Sequence, residues 1–267
     1  MYWNLLWIVF VVCLAACACG FKKFVWFMSI GYGFAIAAGA VAIGIIFAVL
    51  GKLAVLPVIM LILCVIYGIR LGGFLLVREL KNASYRKTLD EATKTEKPIP
   101  VFVLAFMWLF MGVLYTMQLS PVFYRLANES ADLVFGIIGI VVSALGIFLE
   151  AEADRQKSEQ KKKNPRMAAT EGLYKLVRCP NYLGELTFWT GIFIGSWGAL
   201  NHWGQWVMAV LAWISIIIIM FNGAQRLEKR QNGNYGSKKE YQEYVKKTPI
   251  IIPFIPLYTL NKSEVKK

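Results

Sequence analysis

Long apolar runs separated by short polar stretches set the pattern of this chain. Seven of them approach the ~20 residues needed to cross a hydrocarbon core: 3–20, 24–50, 53–77, 99–120, 133–150, 183–200 and 203–223. They predict an all-α, polytopic membrane protein of about seven helices, with cytoplasmic loops and a C-terminal tail. The sixth run is the weakest, because it begins inside a polar motif and is dotted with Gly, Thr and Ser. Between the last two, "WGALNHW" (197–203) reads as a tight turn. "EKPIP" (96–100) marks the break before the fourth helix, since proline removes a helix hydrogen bond. In the tail, "SKKEYQEYVKK" predicts a short polar helix. The apolar, proline-rich "TPIIIPFIPLY" after it is expected to pack back against the membrane surface. No internal repeat is visible, and residues 1–267 read as one integral membrane domain.

The basic residues orient the spans. Of 29 lysines and arginines, only Lys52 and Arg125 fall in loops on one side. The others fall at Lys22–Lys23, in 70–97, in 155–178, and from Arg226 onward. Loops rich in Lys and Arg stay in the cytoplasm, so the N-terminus is expected outside and the C-terminus in the cytoplasm. A net charge of +13 is then accounted for by topology and by anionic lipid head groups rather than by nucleic acid. With 58% apolar and 17% charged residues, and a mean hydropathy of +0.54, the chain is too apolar for a soluble domain. "LAAC" (14–17) resembles a lipoprotein processing box, but "MYWN" offers no basic stretch before it, so a retained first helix is expected.

Some chemistry is excluded by residue counts. His202 is the only histidine, which argues against a multi-histidine metal site and a Ser-His-Asp triad. None of the five cysteines sits in a CxxC pair, so neither a zinc site nor a disulfide framework is indicated. There is no GxGxxG and no GxxxxGK[ST].

The polar residues that remain gather at one end of the spans. In "FLEAEADRQKSEQKKKNP", Glu150 and Asp154 share a helix face that Lys157 and Lys161 continue. That face reads either as a solvated helix end or as a cationic surface for a phosphorylated ligand. After a short link comes "GLYKLVRCPNYLGELTFW" (172–189), with Tyr174, Arg178, Asn181, Tyr182 and Glu185 at the mouth of an apolar run. Pro180 sets the chain direction near a first helical turn, where Asn181 and its neighbours offer free N–H groups. Glu185, an ionisable residue inside a span, is a candidate functional residue by default. On the third helix Tyr67 and Arg70 stand three apart, as interfacial anchors or as a phenol beside a cation. Past the last span lie Arg226, Glu228 and Arg230, then Tyr235, Tyr241 and Tyr244.

Taken together, "ADRQK…KNP…GLYKLVRCPNYLGE" and "YQEYVKKTPIIIPF" resemble the membrane reductase superfamily of steroid 5α-reductases and sterol Δ14-reductases. The likeness covers mainly 150–256, with a weaker echo in 66–86. It implies NADPH bound on the cytoplasmic side. Asp154, Lys157 and Lys161 would meet its phosphate and ribose part, and Tyr174, Arg178, Asn181, Tyr182 and Glu185 would line its path. Arg226, Glu228, Arg230 and Tyr235 would close the site from the tail. Tyr67 falls where such reductases carry a tyrosine that hydrogen-bonds the substrate carbonyl, with Arg70 beside it as a second catalytic candidate. The chain departs from the family pattern twice. Cys179 replaces the histidine of Arg-His-Pro-Asn-Tyr, and no acidic residue precedes Glu79 to supply the early Gln-Glu pair. The expected activity is reduction of a conjugated C=C bond in an apolar, steroid- or sterol-like enone entering from the bilayer. The alternative is an S-adenosylmethionine-dependent methyltransferase of the isoprenylcysteine carboxyl type, sharing "Arg-x-Pro-x-Tyr-Leu-Gly". A third reading is a non-catalytic lipid-binding scaffold or permease.

Overall fold

In a computed structural model, residues 2–81, 83, 86, 89, 90 and 99–261 are described. Most of the loop expected at 78–98, the start of "EKPIP" and the last lysines lie outside them. The helices are α1 (Leu6–Cys17), α2 (Ile30–Val49), α3 (Val55–Lys81), α4 (Val101–Ala127), α5 (Val134–Lys163), α6 (Pro180–Ile194), α7 (Trp203–Tyr235) and α8 (Lys239–Lys247). Five of them, α2, α3, α4, α5 and α7, are long and apolar enough to span a bilayer, as in a multi-pass integral membrane protein.

The first and sixth apolar runs make shorter helices than expected. α1 holds 12 residues and ends in a 3-10 turn at Ala18–Phe21. A side chain at Gly20 there would overlap the Phe27 ring. α6 holds 15 residues and stops before Ser196, whose backbone and side chain both hydrogen-bond Phe193 O. Side-chain hydroxyls of this kind compete with the helical ladder.

The chain divides into two compact units, one of residues 1–140 and 192–212, the other of 141–191 and 213–267. In the first, α2 packs along α3, and α1 packs on α2 and α4. The α2–α3 contact is backbone on backbone. A Cβ on Gly33 would lie 2.7 Å from Gly68 O, and one on Gly68 would lie 2.4 Å from Gly33 O. Small residues permit this approach, which drives association of helices whose surroundings are as apolar as they are. Inside α4, Pro121 removes the amide that would bond Met117 O, and the Ser120 hydroxyl donates to that carbonyl at 2.8 Å instead. Arg125 belongs to the last turn of α4 rather than to a loop, and it is 1% exposed. Its guanidinium donates to Gly195 O at 2.7 Å and to both the backbone and the side chain of Asp132. It therefore acts as a buried cross-link and adds no surface charge.

In the second unit, glycines again let helices touch. A Cβ on Gly146 of α5 would lie 2.3 Å from Phe188 N, and one on Gly184 of α6 would lie 2.6 Å from Glu150 N. Ser143 adds a hydrogen bond to Phe188 O at 3.1 Å. The tail turns back on its own unit. Ile250 and Ile251 bury against Cys179, Ala224 and Leu227, leaving Phe254, at φ 66°, almost wholly exposed.

Replacing Gly68 by Ala should destabilise the protein by about 1–3 kcal/mol through overpacking. Gly44→Ala, whose new methyl meets only Leu61 at 3.8 Å, should be tolerated. Thermal denaturation of the two variants in detergent checks both expectations.

Candidate functional site

The second unit contains a cavity of about 70 Å³ whose wall is dominated by cations. Lys157 and Lys161 come from α5, one turn apart on one face, and Tyr174 and Arg178 come from the link before α6. Arg230, Gln231, Asn234 and Tyr235 come from the last turns of α7. No carboxylate is among the lining residues. Pockets for drug-sized ligands measure about 300–1,000 Å³, so this cavity has room for one compact group rather than an entire dinucleotide.

Each wall is braced. The Tyr174 hydroxyl donates to Ala153 O at 3.2 Å, and Tyr174 O accepts from the Tyr244 hydroxyl at 2.7 Å. Burial raises both phenols above their ordinary range, so both stay neutral donors. Lys161 donates to the Tyr235 hydroxyl at 2.6 Å and also reaches Met167 O, which ties α5 to the end of α7. Gln156 and Gln160 accept from the amides of Leu173, Thr170 and Glu171, folding the link back along α5.

Arg178 is the most constrained member. It is 3% exposed and donates through Nη2 to Glu228 Oε1 at 2.8 Å and to Tyr258 O at 2.6 Å. Glu228, equally buried, takes Leu260 N and Asn261 Nδ2 on its other oxygen, each at 2.9 Å. The backbone amides of Arg178 and Cys179 meanwhile donate to Pro249 O and Ile250 O. The pair thus straps the tail to α6 and α7. Nε and Nη1 of Arg178, both buried, make no hydrogen bond of good geometry among the described residues, although the Tyr241 hydroxyl stands beside the guanidinium. A buried guanidinium with two unmet N–H groups, bordering a cavity that also bears Lys157, Lys161 and Arg230, fits an anionic group such as a phosphate.

Six of the twelve cofactor candidates named from the sequence therefore share this cavity: Lys157, Lys161, Tyr174, Arg178, Arg230 and Tyr235. Asp154 stands one turn before Lys157, close enough to raise the Tyr174 pKa. Glu228 lies behind Arg178. Tyr182 packs against the tail cluster, with its ring 3.4 Å from where a Gly223 Cβ would stand. Asn181 is half-buried, and its Oδ1 has no partner among the described residues. Glu185 is buried and Arg226 exposed, and neither lines the cavity. Sequence reasoning missed Gln231 and Asn234, although they stand beside and one turn beyond Arg230. Cys179, at the histidine position, is 3% exposed, and burial pushes its thiol up to about 12. It is a packing residue of the tail cluster.

Tyr67 and Arg70 belong to the first unit. Tyr67 is fully buried, and its hydroxyl shares a 2.9 Å hydrogen bond with that of Tyr32, whose ring packs 5.3 Å from that of Tyr115. Arg70, one turn further on, is half-buried. Tyr32, the partner of Tyr67, was not singled out from the sequence. Its place between two glycines in "GYG" is the signal available.

Glu228→Ala should destabilise the protein by about 3–5 kcal/mol, because it strands a buried arginine. Limited proteolysis should then cut within 249–261 faster than in the parent protein. With Cys179 as the sole cysteine, maleimide should fail to label the native protein at neutral pH. Labelling should rise only as pH nears the raised pKa or after denaturation, as mass spectrometry would show.

The chain matches the family described as "Protein of unknown function (DUF1295)" over residues 22–248. It is 26% identical over 122 residues to the steroid 5-alpha-reductase DET2 of Arabidopsis thaliana, covering 45% of this chain and 41% of that protein. It is 26% identical over 168 residues to the 3-oxo-5-alpha-steroid 4-dehydrogenase 1 of Bos taurus, covering 60% and 58% respectively. The steroid 5-alpha-reductase DET2 of Gossypium hirsutum is matched at 26% identity, over 59% of this chain and 57% of that protein. Each match spans less than two thirds of the relative's length. No solved structure matches the chain. The family match runs through most of the chain, and these relatives carry the same likeness. The chain belongs to the DUF1295 family, within the membrane steroid 5α-reductase superfamily.

Proposed function

We propose that this protein is an NADPH-dependent membrane reductase of a conjugated C=C bond in an apolar, steroid- or sterol-like enone. The observation that carries this reading is the buried Arg178 guanidinium, with Nε and Nη1 unmet, on a cavity lined also by Lys157, Lys161 and Arg230 and by no acid. A phosphate-bearing cofactor suits that wall, and a sulfonium cofactor without phosphate does not. Lys157, Lys161 and Arg230 neutralise phosphate charge, while Arg178, held rigid by Glu228 and Tyr258, supplies directed hydrogen bonds. Asn181, Tyr182, Glu185, Arg226 and Asp154 bear on the remainder of the cofactor. When bound, NADPH supplies the hydride.

Tyr67 and Arg70 are the candidates for the substrate side of the chemistry. The Tyr67 hydroxyl donates to the carbonyl oxygen of the enone as negative charge develops there, and Tyr32 donates to Tyr67 in turn. Such chains polarise one another and strengthen the terminal bond. Arg70 adds positive charge on the same helix face. Hydride reaches the β-carbon, and a proton finally reaches the α-carbon, which leaves the saturated ketone. With the N-terminus outside and the C-terminus in the cytoplasm of a bacterial inner membrane, the basic part about 150–256 meets cytosolic cofactor. The substrate enters from lipid.

Detergent-purified protein should bind NADPH in fluorescence titrations and leave S-adenosylmethionine unbound. Arg230→Ala should weaken NADPH binding about tenfold, and added salt should weaken it further, as expected for phosphate contacts. Tyr67→Phe should lower kcat for enone reduction about 10²-fold while leaving NADPH affinity unchanged. Binding of S-adenosylmethionine in place of NADPH would overturn the reading.

A further inference from the structure

α4 carries one side chain that neither the tyrosine cluster nor the cation-lined cavity uses. Gln118 is 1% exposed, nine residues before the end of a helix long and apolar enough to cross the bilayer. Both Oε1 and Nε2 of its carboxamide lack a hydrogen-bond partner among the described residues. Its neighbours in sequence on the buried face, Tyr115, Leu119 and Val122, are themselves buried. Thr116 and Ser120 on the same helix, by contrast, satisfy their hydroxyls on Gly112 O and Met117 O.

An amide in apolar surroundings with donor and acceptor both unmet is destabilising, and native proteins keep such groups chiefly where something else completes them. The carboxamide narrows what that is. A ketone accepts from Nε2 but leaves Oε1 unmet, and an ether does the same. A hydroxyl answers both, because its O–H donates to Oε1 while its oxygen accepts from Nε2. Tyr115, one turn earlier, leads through its ring contact to Tyr32 and so to Tyr67. The amide therefore stands at a distance from the phenol pair, along the same packed face of the first unit.

We infer that Gln118 is a binding residue for the hydroxyl group of an apolar ligand drawn from the bilayer, and that it selects ligands bearing an alcohol over their deoxy counterparts. The steroid body of the probe below rests on the reductase reading; the hydroxyl does not.

The test uses the full-length protein in lipid nanodiscs and two probes without an enone, 5α-androstan-17β-ol and 5α-androstane. Binding is followed by tryptophan quenching. The parent protein should prefer the alcohol about tenfold, and Gln118→Leu should erase that preference while leaving the hydrocarbon's affinity as it was. Ligand-free Gln118→Leu should melt at the same temperature as the parent or higher, since it loses an unpaired polar group. Equal affinity of the parent protein for the two probes, or binding of neither, overturns the inference and points to a water on the amide. A lower melting temperature of the ligand-free variant overturns it too, because it makes Gln118 a structural amide. NADPH-dependent reduction of a separate enone, measured alongside, reports on the reductase reading independently of every one of these outcomes.

Discussion

The second unit depends on one buried ion pair. Removing a guanidinium and a carboxylate from water is costly, and their attraction offsets that only when the remaining lone pairs and protons are met. Glu228 meets that condition fully, with Arg178 on one oxygen and Leu260 and Asn261 on the other. Arg178 meets it through Nη2 alone. The two partners differ: the carboxylate is consumed in holding the tail, while the arginine keeps Nε and Nη1 unmet and borders a cavity that also bears Lys157, Lys161 and Arg230. A pair satisfied on both sides would have made a stable strap and a poorer anion site.

The first unit follows another rule. Its helices lie in surroundings as apolar as themselves, so burial of hydrocarbon gives little preference for helix over lipid. Close backbone approach at Gly33 and Gly68, and polar cross-links such as Arg125 with Asp132, fix the packing instead. The hydroxyl pair of Tyr32 and Tyr67 joins α2 and α3, the same two helices that meet at Gly33 and Gly68.

Much of this was legible in the chain, and for physical reasons. Apolar length announces a span, so α2, α3, α4, α5 and α7 were visible as five runs. Spacing along a helix announces a shared face, so Lys157 and Lys161 could be grouped before any fold was known. Long-range pairing announces nothing. Arg178 looked like one cofactor contact among several, since its partners Glu228 and Tyr258 lie 50 and 80 residues away and neither spacing carries a period. The length of α6 was illegible for the opposite reason. Its residues are apolar enough to continue, and the stop comes from Ser196 bonding back to Phe193. Gln118 was passed over because a single amide in an apolar run raises little signal until its surroundings are known to leave it unmet.

The strap also has a consequence in time. Tyr258 leaves the ribosome 80 residues after Arg178, which at about 5–20 residues per second leaves the arginine without its tail for roughly 4–16 s. Through that interval a cation destined for burial must stay hydrated, and so the start of α6 cannot settle until translation has run well past the last span. The order of assembly is imposed by charge: helices first, the wall around Arg178 last.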